Sequence, residues 1–474
     1  MTSQHAPDER AGRTSAQQGV VGHDDLPEPA RLRQIFGPSA VLMGVSVAAG
    51  ELILWPYLGT QAGLQFLWGA VLGVGTQYFL NMEITRYTLA TGESAVIGFS
   101  RLWKPWGLLF VFAGVVTFAW PGWATGAATM VSFAIGGGNV TVITIASLIG
   151  LGLTLSLSPV IYRTVEKIVI AKIIVMLVFL VVGLAIVSTG DVWRDALVGT
   201  VSVGSLPVDT VPAAVLLGAL TSAGAGGIGN LIQSNWVRDK GMGMGRYIPR
   251  IVSPFTGQDV ARPAVGRHFV VTEENLRRWK GWWRVANKEQ LVAFFALGIL
   301  SIAGWSILAY SVLYGRDVGD GFDFISAEGR ILNDVLPHLG TVFWWAGGIA
   351  LLAGTLGVLE WVGRLTADVL KVNYLATSAF WSESKIYLLV VWTVIAAGSV
   401  ILLAGLGQPL TLLVISNVIH GPVMCTYSIL LIRLNRKKLH APIRLRGLRL
   451  VAVLWAVLLY GGFTLYFVVD ALAG

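Results

Sequence analysis

Stretches of mostly apolar residues alternate with short polar turns along almost the whole chain, at about 37–63, 65–90, 104–131, 139–158, 161–188, 211–236, 287–314, 338–370, 385–404, 408–433 and 447–470. A helix crosses the hydrocarbon core of a bilayer in roughly 20 residues, so the pattern predicts an all-α polytopic membrane protein with about eleven transmembrane helices. Residues 1–34 are polar, contain no apolar core of the kind a signal peptide needs, and are expected to form a disordered cytoplasmic tail. The polar connection 240–286 is expected to be a long cytoplasmic loop, and its RRWKGWWR run (Arg277 to Arg284) suits a membrane surface. Asp320 to Leu336 reads as a short amphipathic helix capping the opposite face.

Two spans carry an interruption. The first, GPSAVLMGVSVAAGELILWPYLGTQAG (Gly37 to Gly63), has Ala48-Ala49-Gly50-Glu51 at its middle and Pro56 just beyond. Gly and Pro weaken a helix, and a carboxylate at membrane depth costs several kcal/mol unless something pairs with it. The sixth span runs Thr221 to Gly229 almost entirely in Gly, Ala and Ser, a run that unwinds readily. Unwound backbone survives in a bilayer only where it lines a cavity or is buried in protein. Matched interruptions in the first and sixth of ten spans predict two five-helix repeats of inverted topology, over 35–190 and 191–433, with a site where they meet. Residues 434–474 add a basic loop and a final transmembrane helix. Small residues in the sixth span also allow close helix packing without unwinding.

Composition sharpens the class. Only 13% of the residues are charged and 55% are hydrophobic, against about 25% charge in a soluble domain. The net charge of +8 does not form a nucleic-acid patch, because the basic residues lie in short loops between spans. Arg433, Arg436, Lys437, Lys438, Arg444, Arg446 and Arg449 follow the tenth span, and a similar cluster from Arg238 to Lys288 follows the sixth. Positive charge inside then predicts a protein of the plasma (cytoplasmic) membrane with its N-terminus cytoplasmic and its C-terminus outside. Cys425 stands alone in an apolar run, which excludes a disulfide framework and a Cys-based metal site. The chain contains no HExxH, Gly-x-Ser-x-Gly or P-loop motif, so neither enzyme chemistry nor ATP drive is expected.

Further polar groups fall inside spans. Glu360, Arg364 and Asp368 are spaced i, i+4, i+8 in the eighth and can pair along one stripe, as a structural network or an inner gate. Glu83 and Arg86 close the second span in the same manner. His420, in the tenth, is a candidate proton relay or a hydrogen-bonded structural histidine. No basic residue is expected within the core beside Glu51.

GPSAVLMG opening the first span, RYTLATGES (Arg86 to Ser94), RTVEKIVIAKI (Arg163 to Ile173), LLGAL (Leu216 to Leu220) and LLVISNVIHGPV (Leu412 to Val423) together resemble the Nramp family of proton-coupled divalent metal transporters. The resemblance covers nearly all the spans and implies the LeuT-type inverted-repeat fold with discontinuous first and sixth helices. It implies a cargo site at Ala48, Gly50, Glu51, Ala219, Thr221, Ser222 and Asn417, with Glu360, Arg364, Asp368 and His420 as coupling or gating residues. The departures matter for chemistry. The family's Asp-Pro-Gly-Asn is matched by Ala48, Ala49, Gly50 and Glu51, its Met-Pro-His by Ser222, Ala223 and Gly224, its tenth-span glutamine by Asn417, and its third-span acid has no match. Losing the methionine removes the soft ligand that favours transition metals, and oxygen donors alone suit Mg, Ca or Mn. The expectation is therefore secondary transport, by alternating access, of a hard divalent cation as substrate, with protons as coupling ion and no cofactor. The alternatives are a small amine or amino-acid-like solute, for which the Gly-rich sixth span would leave a roomier cavity, and a non-transporting sensor or scaffold.

Overall fold

The computed structural model describes residues 22–32, 37–48, 50–158, 161–248, 266–317 and 321–473. The chain is almost wholly helical. In order, the helices are α1 (Pro38–Ser46), α2 (Trp55–Ala62), α3 (Leu67–Thr91), α4 (Ala95–Leu102), α5 (Pro105–Ala119), α6 (Gly122–Ile135), α7 (Val140–Leu157), α8 (Ile161–Val187) and α9 (Gly190–Val201). There follow α10 (Ala213–Thr221), α11 (Gly227–Asp239), α12 (Glu273–Gln290), α13 (Leu297–Leu313), α14 (Asp323–Val335), α15 (Leu339–Asn373), α16 (Glu383–Leu403), α17 (Pro409–Val418), α18 (His420–Lys437) and α19 (Leu448–Ala473). Wider π-helical turns join α1 to α2 (Gly50–Leu54) and α12 to α13 (Leu291–Ala296).

Among the described residues, eight helices are long and apolar enough to cross a membrane, or nine when α1 and the Gly50–Ala62 helix count as one bent span. The expected number, about eleven, is not reached on that measure, because α3 and the α10–α11 pair are not among them. Both carry polar residues into the protein interior: Gln77, Asn81 and Glu83 on α3, and Asn230, Gln233 and Asn235 on α11, are all buried. A helix enclosed by others need not be apolar all round. Helices at the perimeter show the opposite pattern, with Ile174, Val178 and Val181 of α8 and Leu448, Leu458 and Leu465 of α19 exposed. That surface matches lipid.

The first span breaks after Ser46 and bends by about 40° before the chain resumes as the Gly50–Leu54 turn. Pro56 lies near the start of α2, which continues directly from the Gly50–Leu54 turn, so its missing N–H removes one donor from that continuous helix. The sixth span breaks between Thr221 and Gly227, where Gly224, Gly226 and Gly227 have φ of 104°, 66° and 41°. Those values lie where side chains clash and glycine does not. Two further breaks were not foreseen. Pro121 separates α5 from α6, and Ile419 separates α17 from α18 three residues before Pro422. A proline ring crowds the carbonyl four residues back, here that of Val418.

Part of the expected disordered tail has structure. Gly22–Asp24 pairs in parallel with Arg267–Phe269, and Leu26 is fully buried. Asn275 at the start of α12 accepts from Leu26 N at 3.0 Å and donates to Asp25 Oδ1 at 2.9 Å, while Trp282 Nε1 donates to Pro27 O at 2.7 Å. Residues 22–32 thus form a strap across α12; residues 1–21 and 33–36, and residues 249–265 of the expected loop, lie outside the described residues. At the other end of α15 the expected amphipathic helix is present as α14, held by Trp344 Nε1 donating to Ile325 O at 3.0 Å.

Candidate functional site

The breaks of the first and sixth spans touch. A Cβ on Gly50 would stand 2.6 Å from Ser222 O and 3.0 Å from Ser222 Oγ, so only glycine admits this approach. Glu51 is the next residue. It is completely buried, and among the described residues neither carboxylate oxygen has a hydrogen-bond partner. The backbone N–H groups of Ala48, from the first break, and Gly224, from the sixth, lie beside the carboxylate without completing a hydrogen bond. Glu51 therefore sits between the two breaks as an unpartnered buried acid.

The other expected cargo residues are distributed differently. Ala48 is buried and its carbonyl accepts from Leu52 N at 2.9 Å. The Ala219 carbonyl accepts from Trp55 Nε1 at 3.0 Å and from Ser222 Oγ at 3.2 Å. Thr221 Oγ1 donates within its own helix to Leu217 O at 2.8 Å and lies 3.1 Å from Asn417 O, so it cross-links α10 to α17. Asn417 Nδ2 donates to Leu413 O at 2.8 Å. Glu51, Gly50 and Ser222 come together at the junction, whereas Thr221, Asn417 and the Ala219 carbonyl serve helix packing. The glycine run is closely packed at three positions: the Phe294 ring would meet a Cβ on Gly224 at 2.7 Å, and the His420 ring lies against Gly226 and Gly227. Among the described residues, no three His, Cys, Asp or Glu side chains group as a metal site.

Two residues at the junction escaped the sequence reading. Lys172 of α8 is buried, donates to Gly44 O of α1 at 2.8 Å, and acts electrostatically on Glu51. The expectation of no basic residue beside Glu51 is thus overturned, although Lys172 stands in the RTVEKIVIAKI stretch, well inside the apolar helix α8. Gln77 of α3 donates to Thr221 O at 3.0 Å and accepts from Ala225 N at 3.0 Å and Gly226 N at 3.1 Å. It satisfies backbone groups that the sixth-span break sets free.

The Glu360 stripe proves to be part of a larger buried network. Arg364 pairs with Glu360 one turn away and with Asp239 of α11. Asp368 pairs not with Arg364 but with Arg238 of α11, Nη1 to Oδ1 at 2.8 Å, and also accepts from Asn235 Nδ2 at 3.1 Å and Ser94 Oγ at 2.5 Å. The stripe faces α11, so opposite charges meet across the helix contact and not only along one helix. Arg364 is 0% exposed and Arg238 2%, so water screens neither pair. Glu83 and Arg86 do pair, at 2.6 Å. His420 is buried against Phe118 with both ring nitrogens unpartnered. It is neither a hydrogen-bonded structural histidine nor joined to Glu51 or the network by a hydrogen bond.

No family model matches the sequence, and no curated protein matches it. Among solved structures, the chain is similar to a mutant of the Eremococcus coleocola manganese transporter, with a TM-score of 0.69 and 14% identity over 94% of this chain and 89% of that one. The same transporter in complex with an aromatic bis-isothiourea substituted compound gives 0.69 and 13%, over 95% and 90%. MhsT in complex with L-phenylalanine gives 0.50 and 14%, over 94% and 100%. At such identities the likeness establishes the fold: this chain folds as the manganese transporter does.

Proposed function

We propose that the protein is a secondary transporter working by alternating access, with a small hard cation as cargo at the junction of the two broken spans. The observation that carries this reading is Glu51, a fully buried carboxylate without a partner, placed where the breaks meet. A buried charge that no hydrogen bond completes costs several kcal/mol, and a cation bound directly to this carboxylate, which Lys172 acts on without bonding, offsets that cost. A divalent ion such as Mg or Mn fits the donors nearby, one carboxylate with the Ser222 hydroxyl and neutral backbone oxygens, since such ions accept oxygen ligands and keep some of their water. Phe294 and His420 packed into the glycine run support a compact cargo over an amino-acid-sized solute. The buried Arg238–Asp368 and Arg364–Asp239 pairs, which tie half of the sixth span to α15, suit an inner gate that must part before cargo leaves.

The test is uptake into proteoliposomes by the purified protein, against a panel of divalent cations and amino-acid-like solutes, with and without a pH gradient. Glu51→Gln and Glu51→Ala are expected to abolish uptake while expression and detergent stability stay close to native. Normal transport by either variant removes the site assignment. An absence of any uptake by the native protein favours the sensor or scaffold.

A further inference from the structure

Lys172 stands at the contact between α8 and the first half-helix, α1. The helices approach closely there: a Cβ on Gly44 would run into Val169 and Ile173, the residues flanking Lys172 on the same face of α8. The Gly44 carbonyl lies in the last turn of α1, where helix carbonyls lack intrahelical partners and the helix end is partially negative. The Lys172 ammonium donates to that carbonyl at 2.8 Å. Its side chain is 4% exposed, so no solvent shell offsets its charge, and the charge acting on it is Glu51. No hydrogen bond joins the two, since both Glu51 oxygens are unpartnered. Lys172 therefore acts on the Glu51 carboxylate without bonding to it, and its ammonium closes α1 onto α8 through Gly44 O.

We infer that Lys172 is a tethered cation that balances Glu51 when cargo is absent and clamps α1 to α8, so that a cargo cation at Glu51 and the clamp oppose each other. This rests on the cargo site proposed above. A divalent ion at Glu51 places like charges within one low-dielectric pocket, and the ion is repelled by the ammonium while it is attracted by the carboxylate. Cargo entry then weakens the hold of Lys172 on the end of α1, and release of α1 is the motion that opens the site. Lys172 is a positioning residue, and it sets affinity through charge.

Three substitutions separate its two roles. Lys172→Met removes charge and donor, Lys172→Gln keeps a donor while removing the charge, and Lys172→Arg keeps both. Each is placed in full-length protein carrying Cys425→Ser and Ser46→Cys, which puts a single buried thiol at the end of α1. Two readouts are taken in detergent: equilibrium binding of Mn2+ alone, and the rate of maleimide labelling at position 46. Lys172→Met is expected to tighten Mn2+ binding about tenfold, one unit of buried charge repulsion, and to speed labelling severalfold. Lys172→Gln is expected to tighten binding while labelling stays slow, and Lys172→Arg to behave as native in both. Unchanged affinity in both Met and Gln variants overturns the opposition of charges, and unchanged labelling in Lys172→Met overturns the clamp. If the native protein binds no Mn2+ and Glu51→Gln alters nothing, the cargo assignment fails, while the labelling rates still decide the clamp on their own.

Discussion

Breaking a helix in mid-membrane strands amide and carbonyl groups where water cannot reach them, and at the sixth-span break one side chain takes up several. Gln77 receives Ala225 N and Gly226 N on its side-chain oxygen, which also accepts from Asn230 Nδ2 at 3.2 Å, and gives its amide to Thr221 O. A buried donor or acceptor left unmade costs about 1–3 kcal/mol, so Gln77→Leu is expected to destabilise the protein by at least that much. The measurement is the thermal midpoint in detergent, which should fall clearly for Gln77→Leu and stay near native for Glu51→Gln; equal midpoints for native and Gln77→Leu would show that the break is held by other contacts. Glu51 was readable in the chain because an acid inside an apolar run has few explanations. Gln77 was not, since a polar residue beside glycines fixes neither the face it lies on nor the group it meets. Lys172 was equally visible as a letter, but its importance lies in the distance to another helix, and spacing along α8 carries no such information.

At the scale of elements, the breaks in the first and sixth spans followed from glycine content and a buried acid, and the structure has both. Those at Pro121 and Ile419 have a proline at or just after them, but a lone proline in an apolar run does not by itself mark a break. The strap was missed for a different reason: residues 22–32 are polar and short, and their order comes from α12, not from their own propensity. Asn275 is the pivot, buried, with its side chain bonded to Leu26 N, Asp25 Oδ1 and Val270 O. Asn275→Ala is expected to release the strap and to raise the rate of tryptic cleavage at Arg31 severalfold without altering cleavage elsewhere. A cleavage rate equal to native would mean that the pairing of Gly22–Asp24 with Arg267–Phe269 and the Trp282 bond to Pro27 O hold the strap without Asn275.

Across the whole molecule, α15 links two closures. It runs 35 residues, about 50 Å at 1.5 Å per residue, with α14 packed on one end and the Arg238–Asp368 network on the other. The alternating access proposed above would require that these ends loosen in turn, and α14 contains a group suited to report on its end. Glu328 is 2% exposed, and burial alone pushes its carboxyl up from the ordinary 4.5 to about 8. Between those values the unfolded chain has lost this proton and the docked helix still holds it, so the folded form binds more protons and loses stability as pH rises. The contribution is complete below about pH 4.5 and is gone once pH has passed through about 8. The thermal midpoint in detergent should therefore decline between about pH 5 and about pH 8, and Glu328→Gln, neutral throughout, should flatten that decline. Cysteines placed on the buried face of α14, with each rate divided by that of a free thiol at the same pH, should label relatively faster at the alkaline end in native protein and at one relative rate in the variant. A decline of the same size in Glu328→Gln would assign the pH dependence to other groups and leave α14 docked by its apolar residues, Phe324, Ile325 and Leu332.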